Sequence, residues 1–210
     1  MTLASAPVTW YVVRAGGIVG FAMLTVSVVL GLLLSGRARL RRWPRFALED
    51  VHRYAGLLTA AFLAIHGLAL LVDGYLPISL GDLLVPGIAP YRPFWTALGV
   101  VALELLAALA LTNRLRSALP YRLWRQVHVL NFAVWALALV HGLGAGTDTR
   151  TPWALSLYAV SAASVAGLTA WRLLGGSGRS GWALGLWPAT AAVVSAELVV
   201  AVALGPLVHG

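Results

Sequence analysis

Residues 52–67 read HRYAGLLTAAFLAIHG, an apolar run with a histidine close to each end. As a helix it separates the two imidazoles by about 21 Å. Ionisable groups in so oily a segment are costly and usually carry a function. The apolar stretch continues to 48–72, and about 20 such residues suffice to cross a bilayer. Five comparable stretches occupy 11–34, 94–111, 123–144, 153–174 and 182–204. They are continuous rather than alternating, so they read as helices and not as barrel strands.

The whole chain agrees. Its 210 residues have a mean hydropathy of +0.86 and only 10% charged side chains, where a soluble domain carries about 25%. The expected fold is all-α: a polytopic membrane helical bundle of six transmembrane helices, one unit over 1–210 with no soluble domain. The N-terminus lacks the basic start of a cleaved signal, and its long apolar run ends in an arginine cluster that reads as stop-transfer.

All 15 basic residues are arginines, and the net charge is +8. They fall between spans, which argues for membrane orientation rather than nucleic-acid binding. Arg37, Arg39, Arg41, Arg42 and Arg45 lie between the first two stretches. Arg114, Arg116, Arg122 and Arg125 lie between the third and fourth, and Arg172 and Arg179 between the fifth and sixth. The alternate connections hold Asp73, Asp82 and Asp148, with Arg92 and Arg150. The positive-inside rule places the three arginine-rich loops in the cytoplasm and both termini outside, in the plasma membrane. Glu49 and Asp50 suit the start of the second helix, and Pro120 and Pro152 the starts of the fourth and fifth. Trp10, Trp43, Trp95, Trp124, Trp153 and Trp182 read as an interfacial belt. The connection from Asp73 to Pro93, with four prolines, reads as an outer loop with a short interfacial or re-entrant piece.

Four of the five histidines form a pattern. His52 and His66 are fourteen apart in the second span; His128 and His141 are thirteen apart in the fourth. These spans run in the same direction, so His52 stands level with His128 and His66 with His141. Two levels about 20 Å apart cannot share one zinc or copper ion, whose ligands sit within about 2 Å of it. They suit two stacked b-type haems between helices 2 and 4, each held by two axial imidazoles. Packing, or a lone hydrogen bond, is the competing explanation for any single one of these residues. One difficulty is phase: on an ideal helix thirteen steps fall about 140° short of full turns, so a kink or tightened turn is required between His128 and His141. Gly56, Gly67 and Gly142 could leave room for a porphyrin face, or simply pack helices. Arg53 and Arg125 could bind haem propionates, or only set orientation. With no cysteine, disulfides, iron–sulfur clusters and thiolate chemistry are excluded.

The stretches EDVHRYAGLLTAAFLAIHGLALLVD and RLWRQVHVLNFAVWALALVHG resemble the ferric reductase-like transmembrane domain family. That family includes the membrane part of NADPH oxidases and ferric-chelate reductases, and the haem-binding subunit of a bacterial periplasmic methionine-sulfoxide reductase system. The resemblance covers about 37–174. It implies haem b, with His52 and His128 as one pair of iron ligands and His66 and His141 as the other. Oxidases and ferric reductases continue into a flavin and nicotinamide domain, but no GxGxxG turn follows a strand here, and GGSGRSG is a loop between apolar spans and not a phosphate cradle. The expected electron donor is therefore a separate cytoplasmic flavoprotein or quinol.

Three readings follow. The first is an electron conduit passing reducing equivalents from a cytoplasmic donor to an external acceptor. The second is the haem subunit of a periplasmic oxidoreductase such as a sulfoxide reductase system. The third is a non-redox transporter or scaffold. Glu104 and Glu197 fit proton transfer, quinone binding or interhelical hydrogen bonds equally; Asn131 is expected to make an interhelical hydrogen bond. His209 is given no role.

Overall fold

A computed structural model of the chain describes residues 6–35 and 44–174. The expected sixth span at 182–204, with Glu197 and His209, lies outside the described residues, as do Arg37, Arg39, Arg41, Arg42 and Arg179. Seven helices run in the order α1 (Ala6–Ser35), α2 (Arg45–Val72), α3 (Leu80–Leu84), α4 (Pro93–Arg114), α5 (Tyr121–His128), α6 (Asn131–Ala145) and α7 (Pro152–Leu174). There is no strand among the described residues. Five helices are long and apolar enough to cross a membrane: α1, α2, α4, α5 with α6 as one segment, and α7.

Proline marks the helix starts. Pro44 and Pro120 precede α2 and α5, while Pro93 and Pro152 are the first residues of α4 and α7; at those positions the missing N–H costs nothing. Two expectations shift. Helix α2 begins at Arg45, so Glu49 and Asp50 lie beyond its first turn, where Glu49 instead accepts from Arg45 at 3.0 Å. The outer-loop piece is the helix α3, closed by a capping box: Ser79 accepts from the Asp82 backbone, and Asp82 from that of Ser79.

Helix α1 is the hub, packing against α2, α6 and α7, while α4 packs against α6. The core joins Phe21, Leu24, Val28 and Leu32 of α1 to Ala102 and Leu109 of α4, to Val134, Trp135 and Leu139 of α6, and to Val165 of α7. Trp135 is wholly buried; its Nε1–H donates to Thr25 Oγ1 at 2.9 Å, and Phe21 stacks on it. Thr25 Oγ1–H in turn donates to the Phe21 carbonyl, so no polar atom in this patch is stranded. The outward face of α2 is apolar as well, with Tyr54, Leu57, Ile65, Leu68 and Val72 exposed, as lipid contact demands. Trp95, expected in the interfacial belt, is instead buried against Val140, with Gly144 leaving the room its ring fills.

The fourth membrane segment is broken. Helix α5 ends at His128 and α6 starts at Asn131; across the junction Leu130 N bonds Val127 O and Phe132 N bonds Val129 O, both at 3.0 Å. These are three-residue steps, a tightened turn advancing about 120° per residue instead of 100°. They supply part of the rotation that the thirteen-residue spacing lacked.

Candidate functional site

The four histidines come together as two pairs. The rings of His52 and His128 have centroids 6.1 Å apart at an interplanar angle of 78°. Those of His66 and His141 are 6.4 Å apart at 76°. A metal–imidazole bond is about 2 Å long and the ring centre lies roughly 1 Å behind the nitrogen, so two rings facing across one metal have centroids about 6 Å apart. Both pairs have that separation.

Hydrogen bonds fix which nitrogen is free. His52 Nδ1 lies 2.9 Å from the carbonyl oxygen of Ser27, His66 Nδ1 2.7 Å from that of Val13, and His141 Nδ1 2.9 Å from that of Trp95. A carbonyl only accepts, so each Nδ1 carries the proton and each Nε2 keeps its lone pair. No Nε2 of the four histidines has a hydrogen-bond partner among the described residues, and no hydrogen bond joins the rings within either pair. Half-buried nitrogens without partners call for one, and metal-bound histidines characteristically donate their other N–H to a carbonyl in this way.

The three acceptor carbonyls share a local design. Each belongs to a residue four before a glycine on the neighbouring helix: Ser27 before Gly31 and Val13 before Gly17 on α1, Trp95 before Gly99 on α4. The imidazole lies over that glycine. A Cβ on Gly31 would stand 3.4 Å from the His52 ring, one on Gly17 3.1 Å from His66, and one on Gly99 2.6 Å from His141. Sequence reasoning missed all three. The available signal was Gly17 and Gly31, spaced fourteen apart as His52 and His66 are, on an antiparallel neighbour. Of the glycines singled out instead, Gly67 faces open space, Gly56 approaches only Ser27, and Gly142 faces the Tyr158 ring.

His128 differs. Its Nδ1 faces the amide nitrogen of Asn131 at 3.4 Å, and that nitrogen also donates to the His128 carbonyl at 2.7 Å. The expected interhelical bond of Asn131 is thus replaced by a local one at the α5–α6 break. The ring stacks on Trp124 at 5.1 Å and 24°, and Trp124 Nε1–H donates to Asn113 Oδ1 at 2.9 Å.

A cavity of about 200 Å³ opens between His66 and His141. Its walls include Gly17, Gly67, Gly99, Leu103, Ala138 and Tyr158. At its rim Arg14 makes a two-armed ion pair with Asp148, one arm being Nε to Oδ2 at 2.8 Å. Arg92 and Tyr91 donate to the Gly144 and Ala145 carbonyls at 2.6 and 3.1 Å, closing the end of α6. Arg53, proposed for propionates, is exposed and stands 3.9 Å from Asp50. Glu104 faces outward from α4 with no hydrogen bond or ion pair among the described residues. No group of three or more His, Asp or Glu side chains converges on a point among the described residues.

Residues 16–140, more than half of the chain, match the family described as ferric reductase like transmembrane component. The match includes His52, His66 and His128 and stops one residue short of His141. No curated protein and no solved structure matches the chain.

Proposed function

Because the chain belongs to the ferric reductase-like transmembrane family, a family of membrane redox components, we propose that it carries electrons across the bilayer through two bis-histidine b-type haems. His52 and His128 hold the haem nearer the arginine-rich, cytoplasmic side; His66 and His141 hold the other. The reading rests on one observation: two pairs of facing imidazoles at metal-bridging separation, with no partner on any Nε2. Bound haem supplies a one-electron ferric–ferrous couple.

The chain's own residues perform the rest. The carbonyls of Ser27, Val13 and Trp95 orient three rings and raise their basicity toward iron. The apolar walls around His66 and His141 keep water from the iron and lower the local dielectric. Trp135, seven residues after His128 and six before His141, anchors α6 in the core it shares with α1, α4 and α7. Electrons enter from a cytoplasmic flavoprotein or a quinol and leave to an external acceptor. An alternative destination is a periplasmic enzyme of the sulfoxide reductase kind, for which this chain would be the haem-binding membrane subunit.

The test is a reduced-minus-oxidised spectrum of the purified protein with haem quantification. The expected result is low-spin bis-imidazole absorbance and two haems per chain, falling to one in His66→Ala or His141→Ala. A colourless, folded protein overturns the proposal and favours a non-redox transporter or scaffold.

A further inference from the structure

The two histidine pairs are not equivalent, and the difference lies in His128. Three imidazoles give their Nδ1–H to a backbone carbonyl; His128 meets the amide nitrogen of Asn131 instead. An amide nitrogen is a donor only. Turning the Asn131 amide over would offer its oxygen to the ring, but would give up the 2.7 Å bond to the His128 carbonyl. In either orientation the side chain satisfies the carbonyl or a protonated Nδ1, never both.

Level with His128, the neighbouring helix has no glycine seat like those under the other three rings. On α4, Gly99 seats His141; thirteen to fourteen residues further along, level with His128, stand Thr112 and Asn113. The Leu109 carbonyl there already accepts from Thr112 Oγ1 at 2.8 Å, and Asn113 holds the Trp124 indole. Trp124 in turn stacks on the His128 ring. The ring is therefore held on its face, where its sister imidazoles are held through Nδ1.

We propose that Trp124, pinned by Asn113, and Asn131 are positioning residues for His128, and that they make the His52–His128 site the more weakly held and more oxidising of the two. The inference rests on the haem reading above. Donating Nδ1–H to an acceptor pushes electron density onto Nε2, strengthens it as a ligand and favours ferric iron. A ring without that acceptor is the poorer donor, so its iron is more easily reduced and its haem more easily lost.

Asn131→Asp in the full-length purified chain tests the electronic part. A carboxylate at the first residue of α6 suits the helix N-terminus and accepts the ring N–H. A redox titration should show the higher of two midpoint potentials moving down, the other unchanged, and two haems retained. The responding haem should be the one absent from His52→Ala. Trp124→Leu should weaken retention of that same haem ten- to a hundredfold, and Trp124→Phe, which keeps a stacking face, should restore it. Both potentials unmoved in Asn131→Asp, or only the lower one moved, overturns the inference; so does full retention of both haems in Trp124→Leu. A wild-type chain without haem overturns the haem reading and this inference together, whereas two haems with insensitive potentials overturn this inference alone.

Discussion

Under three of the imidazoles lies a glycine, and the room it leaves differs from one to the next. A Cβ on Gly31 would make ordinary contact with the His52 ring at 3.4 Å. On Gly17 it would press His66 at 3.1 Å, and on Gly99 it would overlap His141 at 2.6 Å, a ring already tied to the Trp95 carbonyl. On the proposed two-haem reading, alanine substitution should rank accordingly. Gly99→Ala should weaken haem retention at the His66–His141 site ten- to a hundredfold. Gly17→Ala should have a smaller effect at the same site. Gly31→Ala should keep both haems and gain up to about 1 kcal/mol of helix propensity. Haem per chain after detergent exchange, alongside helicity, measures the series; a larger loss in Gly31→Ala than in Gly99→Ala would refute the seating. The histidines were legible from sequence because an imidazole in an apolar run stands out. Their seats were not, because a glycine in a membrane helix is ordinary packing until the residue across from it is known. Gly67 and Gly142, which follow histidines, do line the cavity between His66 and His141, yet they do not seat the rings, because adjacent helical positions point about 100° apart. The residue beside a ligand in sequence is not the one beneath it in space.

Helices themselves were easier to read than their interruptions. Hydropathy gave all five described spans to within a few residues, and thirteen-residue spacing demanded a tightened turn inside the fourth. That demand located the defect only to somewhere between His128 and His141; the turn at Val129 and Leu130 has no proline or glycine to announce it. Trp95 was misread because a tryptophan near a span end fits an interfacial belt as well as a core, and only the facing Gly144 decides between them. Helix α3 is stabilised locally. Asp82 folds back on Ser79, accepting from its backbone N–H and its hydroxyl at 2.8 and 2.7 Å. These bonds, the backbone one foremost, hold the carboxyl below its ordinary value of 3.8. A carboxylate whose pKa is depressed by folding contributes stability that is complete above its unfolded value and disappears as pH falls through the lower folded one. The loop around α3 should therefore keep its protection from neutral pH down to about pH 4 and loosen below it. Amide exchange across 76–86, followed against pH, measures this. Asp82→Asn should abolish the pH dependence, and an unchanged acid response in that variant would assign the loosening elsewhere.

On the scale of the molecule, the two ends of the bundle use their charges differently. At the end shared by His66 and His141, every described carboxylate is engaged within the chain. Asp73 accepts from Thr9 at 2.7 Å and from the backbone of Leu76 at 3.0 Å, Asp82 closes α3, and Asp148 holds Arg14. Helix α1 is thereby tied to the loops that follow α2 and α6, around the rim of the cavity. The opposite end, with His52 and His128, carries Arg45, Arg53, Arg114, Arg116, Arg122 and Arg125. By the positive-inside rule we propose that this end faces the cytoplasm, where cationic loops are retained and meet anionic lipid. The proposed direction of electron flow rests on this orientation, which can be tested without reference to haem. The chain has no cysteine, so a single introduced thiol is an unambiguous reporter. Gly74 is exposed and a Cβ there meets nothing within 4 Å; Ser117 is exposed in the turn between α4 and α5. A membrane-impermeant maleimide should label Gly74→Cys on intact cells, and Ser117→Cys only after the membrane is opened. The reverse pattern would turn the bundle over, put the cavity-lined His66–His141 pair toward the cytoplasm, and make that pair the port of electron entry.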